Sequence, residues 1–157
     1  MTTAKLLLLC LTFFGLLTGA ADAAVTCDIS TSGAAFGSYD SIGSQDRDTS
    51  GTITVTCSGT TGDSVTYTIS LSPGAGSFSN RNLSAGTSVL NYNLYTDISR
   101  SQVWGDGSAG TAVLSDSYTL NVSPTTHNYT VYGRVPKSQN QALSGSYSDN
   151  LTVALVY

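Results

Sequence analysis

The sequence contains no glutamate, and charged residues make up only 10% of its 157 residues. All of its acidic side chains are therefore aspartates, which favour turns over helices, and no helical spacing of apolar residues recurs after residue 24. The formal net charge of −4 argues against nucleic acid or an anionic membrane as a partner. These absences predict an all-β chain.

Histidine and catalytic motifs are equally scarce. His127 is the sole histidine, so a multi-histidine metal site is excluded and we expect a structural or surface role for this residue. Asp46 and Asp48 could ligate Ca²⁺, but no third acidic ligand is nearby, so we interpret them as part of a solvated loop. No phosphate-binding glycine loop, G-x-S-x-G elbow or Cys/His pair at catalytic spacing occurs. The sequence gives no support for an enzyme, a metal or a cofactor.

The amino terminus has the layout of a secretory signal peptide. Lys5 precedes an apolar run from Leu6 to Leu17, and Ala21-Asp22-Ala23 matches the small-residue cleavage pattern. We expect cleavage after residue 23, leaving a mature domain over residues 24–157 that is exported through the inner membrane.

Cysteine is rare, and one of the three cysteines, Cys10, leaves with the signal peptide. The remaining Cys27 and Cys57 lie in a chain destined for an oxidising compartment, which predicts a disulfide between them. Two buried free thiols are the alternative.

Short segments with alternating apolar and polar residues are abundant. They predict strands over 52–57, 64–71, 89–95, 117–122, 128–135 and 150–157, separated by turns such as the one around Asp106, and together they indicate a β-sandwich. The polar stretch 37–50 is the most irregular and predicts a surface loop over 43–48.

The last predicted strand has no charge or proline after Asp149 to protect its edge. Either the edge is buried in a closed sandwich or a strand from another chain completes it. The candidate strand-accepting residues alternate along this segment and are Leu151, Val153, Leu155 and Tyr157.

A series of local signatures, in this order and spacing, resembles the spore coat protein U domain family, which includes subunits of archaic, Csu-type chaperone-usher pili. The resemblance spans essentially the whole mature chain. It rests on Cys27-Asp-Ile, the segments 36–40, 53–57, 67–71 and 92–95, and the motif residues Trp104, Gly105, Asp106, Gly107, Tyr132, Gly133, Arg134, Tyr147 and Asp149.

The resemblance implies an incomplete immunoglobulin-like β-sandwich that lacks its last strand. A periplasmic chaperone lends that strand in transit, and a neighbouring pilin subunit replaces it after passage through an outer-membrane usher. The implied role is that of a structural subunit acting in adhesion and biofilm formation at the cell surface.

The sequence departs from the fibre-forming pattern before Cys27. Only residues 24–26 follow the expected cleavage site, whereas spanning a groove takes about ten residues. We therefore expect a subunit that accepts a strand without donating one, at a tip or terminal position, with Pro73 and Phe78 as candidate surface contacts. Trp104 could also contact a surface, but we interpret it as a core or packing residue. The alternative is a self-contained secreted coat or surface-binding protein that completes its own sandwich with residues 24–29 as an edge strand.

Overall fold

Eight β-strands and no helix make up the part of the chain that the structure, a computed structural model, describes, namely residues 24–157. The expected signal peptide lies outside the described residues. Over the described range no helix is long and apolar enough to cross a membrane. The strands are β1 Thr26–Thr31, β2 Arg47–Ser58, β3 Ser64–Leu71, β4 Arg81–Ala85, β5 Ser88–Tyr95, β6 Leu114–Thr119, β7 Thr125–Val135 and β8 Val153–Val156.

The strands form two antiparallel sheets. One has the order β1-β2-β7-β5-β4 and the other the order β6-β3-β8. Side chains alternate between the two faces of a strand, so each sheet has one face lined by apolar residues. The two apolar faces pack together. Ile53 and Val55 of β2 face Tyr67 and Ile69 of β3 in one core, and all four are at most 2% exposed. The expected all-β sandwich is confirmed.

The predicted disulfide is also confirmed. Cys27 and Cys57 are direct partners in the β1–β2 ladder and are bonded through their sulfur atoms. The bond ties the first strand of the five-stranded sheet to its neighbour.

The predicted loop over 43–48 is wrong at its carboxyl end. β2 begins at Arg47, because Arg47 and Asp48 pair with Val135 and Arg134 in a ladder that continues the β2–β7 sheet. Asp48 accepts two hydrogen bonds from the Arg134 guanidinium, at 2.7 and 2.8 Å, so the charges are paired across strands. A charged segment of this kind can form a strand because residues of the neighbouring strand neutralise its charges.

One flank of the sandwich is closed by the segment from Val103 to Gly105. The Trp104 backbone N–H donates to the Leu94 carbonyl of β5, and the Gly105 carbonyl accepts from the Leu71 N–H of β3. The two sheets are therefore joined by main-chain hydrogen bonds through this segment.

Candidate functional site

β8 lies at the edge of its sheet and pairs with β3 alone among the described strands. The Ser72 N–H donates to the Thr152 carbonyl at 2.9 Å, whereas the Leu71 N–H points the other way, to Gly105. Antiparallel ladders alternate hydrogen-bonded and non-hydrogen-bonded pairs. It follows that Val153 and Leu155 direct their N–H and C=O groups away from β3, towards the free edge.

The predicted strand-accepting residues alternate in exposure as well. Leu151, Val153 and Leu155 are half-buried against the core, while Val156 is 68% exposed. Tyr157, expected to continue the inward row, follows the end of β8 and is 58% exposed. The free edge thus comprises the short strand β8 with Val153 and Leu155 inward, preceded by the inward Leu151 and without Tyr157.

An apolar cavity of about 290 Å³ lies beside this edge, between the start of β8 and the chain that follows β1. We call it the inner groove. It opens onto core side chains of both sheets, and its lining includes Gly33, Ile53, Leu71, Leu94, Val131 and Val153.

A second cavity, of about 780 Å³, adjoins the first and is called the outer groove. Its walls are the segments 34–41 and 142–149, and its lining includes Phe36, Tyr39, Leu90, Val135, Leu143 and Tyr147. The two grooves share Ala34, Phe36, Leu83 and Asp149, so they form one continuous depression along the molecule.

Asp149 lies where the two grooves meet. Its Oδ1 accepts hydrogen bonds from the N–H groups of Ala75 at 3.1 Å and Asn150 at 2.8 Å, and its Oδ2 accepts one from the Tyr92 hydroxyl at 2.7 Å. Burial, and then the bond to this carboxylate, raise the pKa of Tyr92 well above its usual range. Asp149 therefore fixes the chain just before β8 to β5 and to the turn after β3.

Gly74 allows this arrangement. A Cβ on Gly74 would lie 2.1 Å from the Asp149 Oδ2, and its φ of +67° is one that other residues rarely adopt. Any larger residue here would displace the carboxylate.

A buried cation that sequence reasoning missed lies near Asp149. Arg81, at the start of β4, is completely buried, and its guanidinium donates to the carbonyls of Ser72 at 3.0 Å and Trp104 at 2.7 Å and to Asn93 Oδ1 at 2.5 Å. Burial lowers the pKa of Arg81, and the negative charge of Asp149 opposes that shift. The only sequence signal was the alternation of Arg81 with Leu83, too short to identify a strand.

Phe78 and Trp104, two of the three candidate surface contacts, are placed differently. Trp104 is fully buried and its Nε1–H donates to the Ile69 carbonyl at 3.1 Å, so its interpretation as a core residue is confirmed and it is no surface contact. Phe78 is half-buried, with its ring 5.5 Å from the Arg81 guanidinium carbon.

The neighbours of Trp104 in the motif shape a turn. A Cβ on Gly105 would lie 2.4 Å from Thr111 Oγ1, so only glycine fits. The Asp106 Oδ1 accepts hydrogen bonds from the Ser108 hydroxyl at 2.6 Å and from the Ser108 N–H at 2.9 Å, as expected for a turn residue. The hydroxyl bond and then the N–H bond lower the Asp106 pKa. These residues support the closed flank rather than the grooves.

The motif Tyr132-Gly133-Arg134 lies in β7. A Cβ on Gly133 would lie 2.9 Å from Phe36 Cζ, so glycine lets this outer-groove residue pack down onto the sheet. Arg134 pairs with Asp48 and Asp46, which the sequence suggested as weak Ca²⁺ ligands. Over the described residues no three His, Cys, Asp or Glu side chains group closely enough to hold a metal ion.

Tyr147 builds the wall of the outer groove. Its hydroxyl donates to the Leu143 carbonyl at 2.7 Å and shares a hydrogen bond with Ser88 Oγ at 2.5 Å. Ser148 bridges to Ser84 of β4 through two main-chain bonds. The wall is thus attached to the edge of the five-stranded sheet.

His127 has the structural role expected for it. Its Nδ1 lies 2.8 Å from the Asp116 Oδ2, which joins β7 to β6 across the two sheets. The Tyr129 hydroxyl donates to the same oxygen at 2.5 Å, and these two contacts lower the Asp116 pKa.

Comparison with known proteins agrees with this architecture. The family model for the Spore Coat Protein U domain matches residues 14–154. No curated protein matches the chain. Among solved structures, one similar chain belongs to the CsuC–CsuE chaperone–tip adhesion subunit pre-assembly complex from archaic chaperone-usher Csu pili of Acinetobacter baumannii. It has a TM-score of 0.56 and 19% identity. The similarity covers 85% of this chain and 40% of that one, and at this identity it shows the fold. The chain belongs to the Spore Coat Protein U domain family.

Proposed function

We propose that this protein is an exported structural subunit of an archaic chaperone-usher pilus or a related surface assembly, and that it accepts a donor strand along β8. The observation that carries the proposal is the free edge at Val153 and Leu155, whose main-chain groups point away from β3, together with the apolar groove that begins beside Val153. No catalytic role is part of it.

The mechanism is β-augmentation. A donor strand supplies main-chain hydrogen bonds to Val153 and Leu155, and its alternate side chains enter the grooves. Covering the half-buried Leu151, Val153 and Leu155 removes apolar surface from water, at about 25 cal/mol per Å². The lone subunit exposes this surface and is therefore prone to aggregate.

The proposed partners are a periplasmic chaperone, an outer-membrane usher and other pilin subunits, and the proposed location is the periplasm in transit and then the cell surface. The similar solved chain comes from a complex of a chaperone with a tip adhesion subunit, which supports a chaperone as the first partner. Adhesion and biofilm formation are the proposed outcome of the assembly.

A terminal position in the fibre is the finer part of the proposal. β1 pairs with β2 over its whole length from Thr26 to Thr31, and the disulfide at Cys27 fixes it there. Residues from Thr26 onward are therefore held within this subunit and are not free to serve as a donor for another.

The second candidate is a self-contained coat or surface-binding protein. It is favoured by β1, which includes most of the edge strand expected over residues 24–29. That strand leaves the free edge of β8 unpaired among the described residues, so the first function has the stronger support.

Co-expression in a periplasm tests the proposal. The chain is produced alone and with a chaperone of an archaic pilus system, and soluble yield and stoichiometry are measured. We expect recovery as a one-to-one complex and aggregation without the chaperone. A soluble monomer with equal yield in both cases would contradict strand acceptance and support the second candidate.

A further inference from the structure

The depression formed by the two grooves is lined almost entirely by apolar and uncharged residues. Among the described residues that line either groove, Asp149 is the single charged one, and it lines both. A strand that occupies the inner groove and continues into the outer one therefore passes a carboxylate between two apolar regions.

The Asp149 carboxylate is not saturated by its own chain. A carboxylate has about four acceptor sites. Oδ1 takes two N–H donors, from Ala75 and Asn150, while Oδ2 takes only the Tyr92 hydroxyl. A partner that covers Asp149 with an apolar side chain removes water from the remaining site without replacing it, which is costly for a charged group.

We propose that Asp149 is a specificity-determining residue of the strand-accepting site, an inference that rests on the proposed function. The donor strand of the partner chain carries serine, threonine or asparagine at the inward position that meets Asp149. Apolar residues occupy its inward positions on either side. A neutral hydrogen-bonding side chain fits this position better than a lysine, because the buried cation Arg81 is already nearby. The implied pattern is apolar-x-(Ser/Thr/Asn)-x-apolar, because every second residue of a strand faces the same way.

The test uses the full mature chain with a twelve-residue Thr-Val repeat joined to Tyr157 by a flexible linker, so that the valines supply the inward row. Each inward valine is replaced in turn by serine and by alanine, and the unfolding equilibrium constant is measured in urea. At one position we expect the serine fusion to be favoured over the alanine fusion by about tenfold, the effect of one hydrogen bond to a charged group. At the other inward positions the two fusions should agree within about twofold.

Two variants of the chain separate specificity from folding. In D149N the serine preference should fall to about threefold or less, because the charge is lost while the shape is kept. In Y92F, which removes a structural hydrogen bond of the same carboxylate, the preference should persist. Equal ratios at every position, or an unchanged ratio in D149N, would overturn the role of Asp149 and leave strand acceptance intact. If no fusion is more stable than the unfused chain, both proposals fail.

Discussion

Cys27 and Cys57 face each other across the β1–β2 ladder with their Cα atoms 4.0 Å apart, and a disulfide joins them. The bond closes a loop with a sequence separation of 30 residues. In the chain-entropy model such a loop stabilises the fold by roughly 3 to 4 kcal/mol. We expect the C27S/C57S double variant to lose about this much unfolding free energy in urea. The wild-type chain measured under strong reductant is the matched control. A loss below about 1 kcal/mol in both would mean that β1 is held by its ladder alone.

The free edge of β8 can be tested with proline. At Leu155 the lost N–H is one that faces the edge, so L155P leaves the β3–β8 ladder in place, whereas the Ala154 N–H faces β3. We expect L155P to reduce chaperone co-purification by about tenfold relative to L155A, which loses the same side-chain packing. A154P should unfold the chain instead. Equal capture of L155P and L155A would show that the donor does not hydrogen-bond at this residue.

Arg81 offers a test of the core. Its guanidinium serves three oxygen acceptors while fully buried, and lysine cannot reproduce that geometry. We expect R81K to lower the unfolding free energy by about 2 to 3 kcal/mol, because buried acceptors lose their partners. The comparison is R47K, at an exposed arginine whose Nε donates to the Phe36 carbonyl at 2.6 Å, with an expected loss of about 1 kcal/mol or less. Similar effects at both sites would show that the buried network adds little.

Asp116 predicts an acid-sensitive contribution to stability. Hydrogen bonds from Tyr129 and then His127 lower its pKa in the folded state. The contribution is therefore fully present above the unfolded pKa of about 3.9 and is lost as pH falls through the lower folded value. We expect the stability difference between wild type and D116N to shrink below about pH 4.

The variant Y129F removes the largest cause of the Asp116 shift and serves as the comparison. Its acid-unfolding midpoint should lie above that of the wild type. Urea unfolding followed from pH 5 to pH 2.5 measures both effects. Parallel curves for wild type and D116N would contradict the assignment to Asp116.

Strong alternation of apolar and polar residues made part of the fold predictable from the sequence. β3 has the bounds predicted from Val65, Tyr67, Ile69 and Leu71, since each of these residues faces the core. β6 lies three residues earlier than predicted, at Leu114–Thr119, because its inward row is only half-buried and includes Asp116.

Other elements could not be read from local pattern. β4 was not among the predicted strands, since it has Arg81 where an apolar residue is expected. β1 is short and mostly exposed, and it was expected only as the edge strand over residues 24–29 of the alternative hypothesis. The first residues of β2 read as loop because Asp48 is neutralised by Arg134, which is 86 positions away. Alternation along the last segment predicted the inward Leu151, Val153 and Leu155 but placed Tyr157 wrongly in the same row. The meeting of both grooves at Asp149 depends on loops distant in sequence.

The segment Val103–Gly105 affects how a donor strand would bind, because its hydrogen-bond partners Leu71 and Leu94 line the inner groove. Its main-chain bonds to β3 and β5 hold the two sheets together before any partner arrives. The receptor surface is in this sense preorganised, and little ordering entropy remains to be lost on association. Binding free energy then appears mainly as a slow dissociation rate, which is what the proposed role in a lasting surface assembly requires.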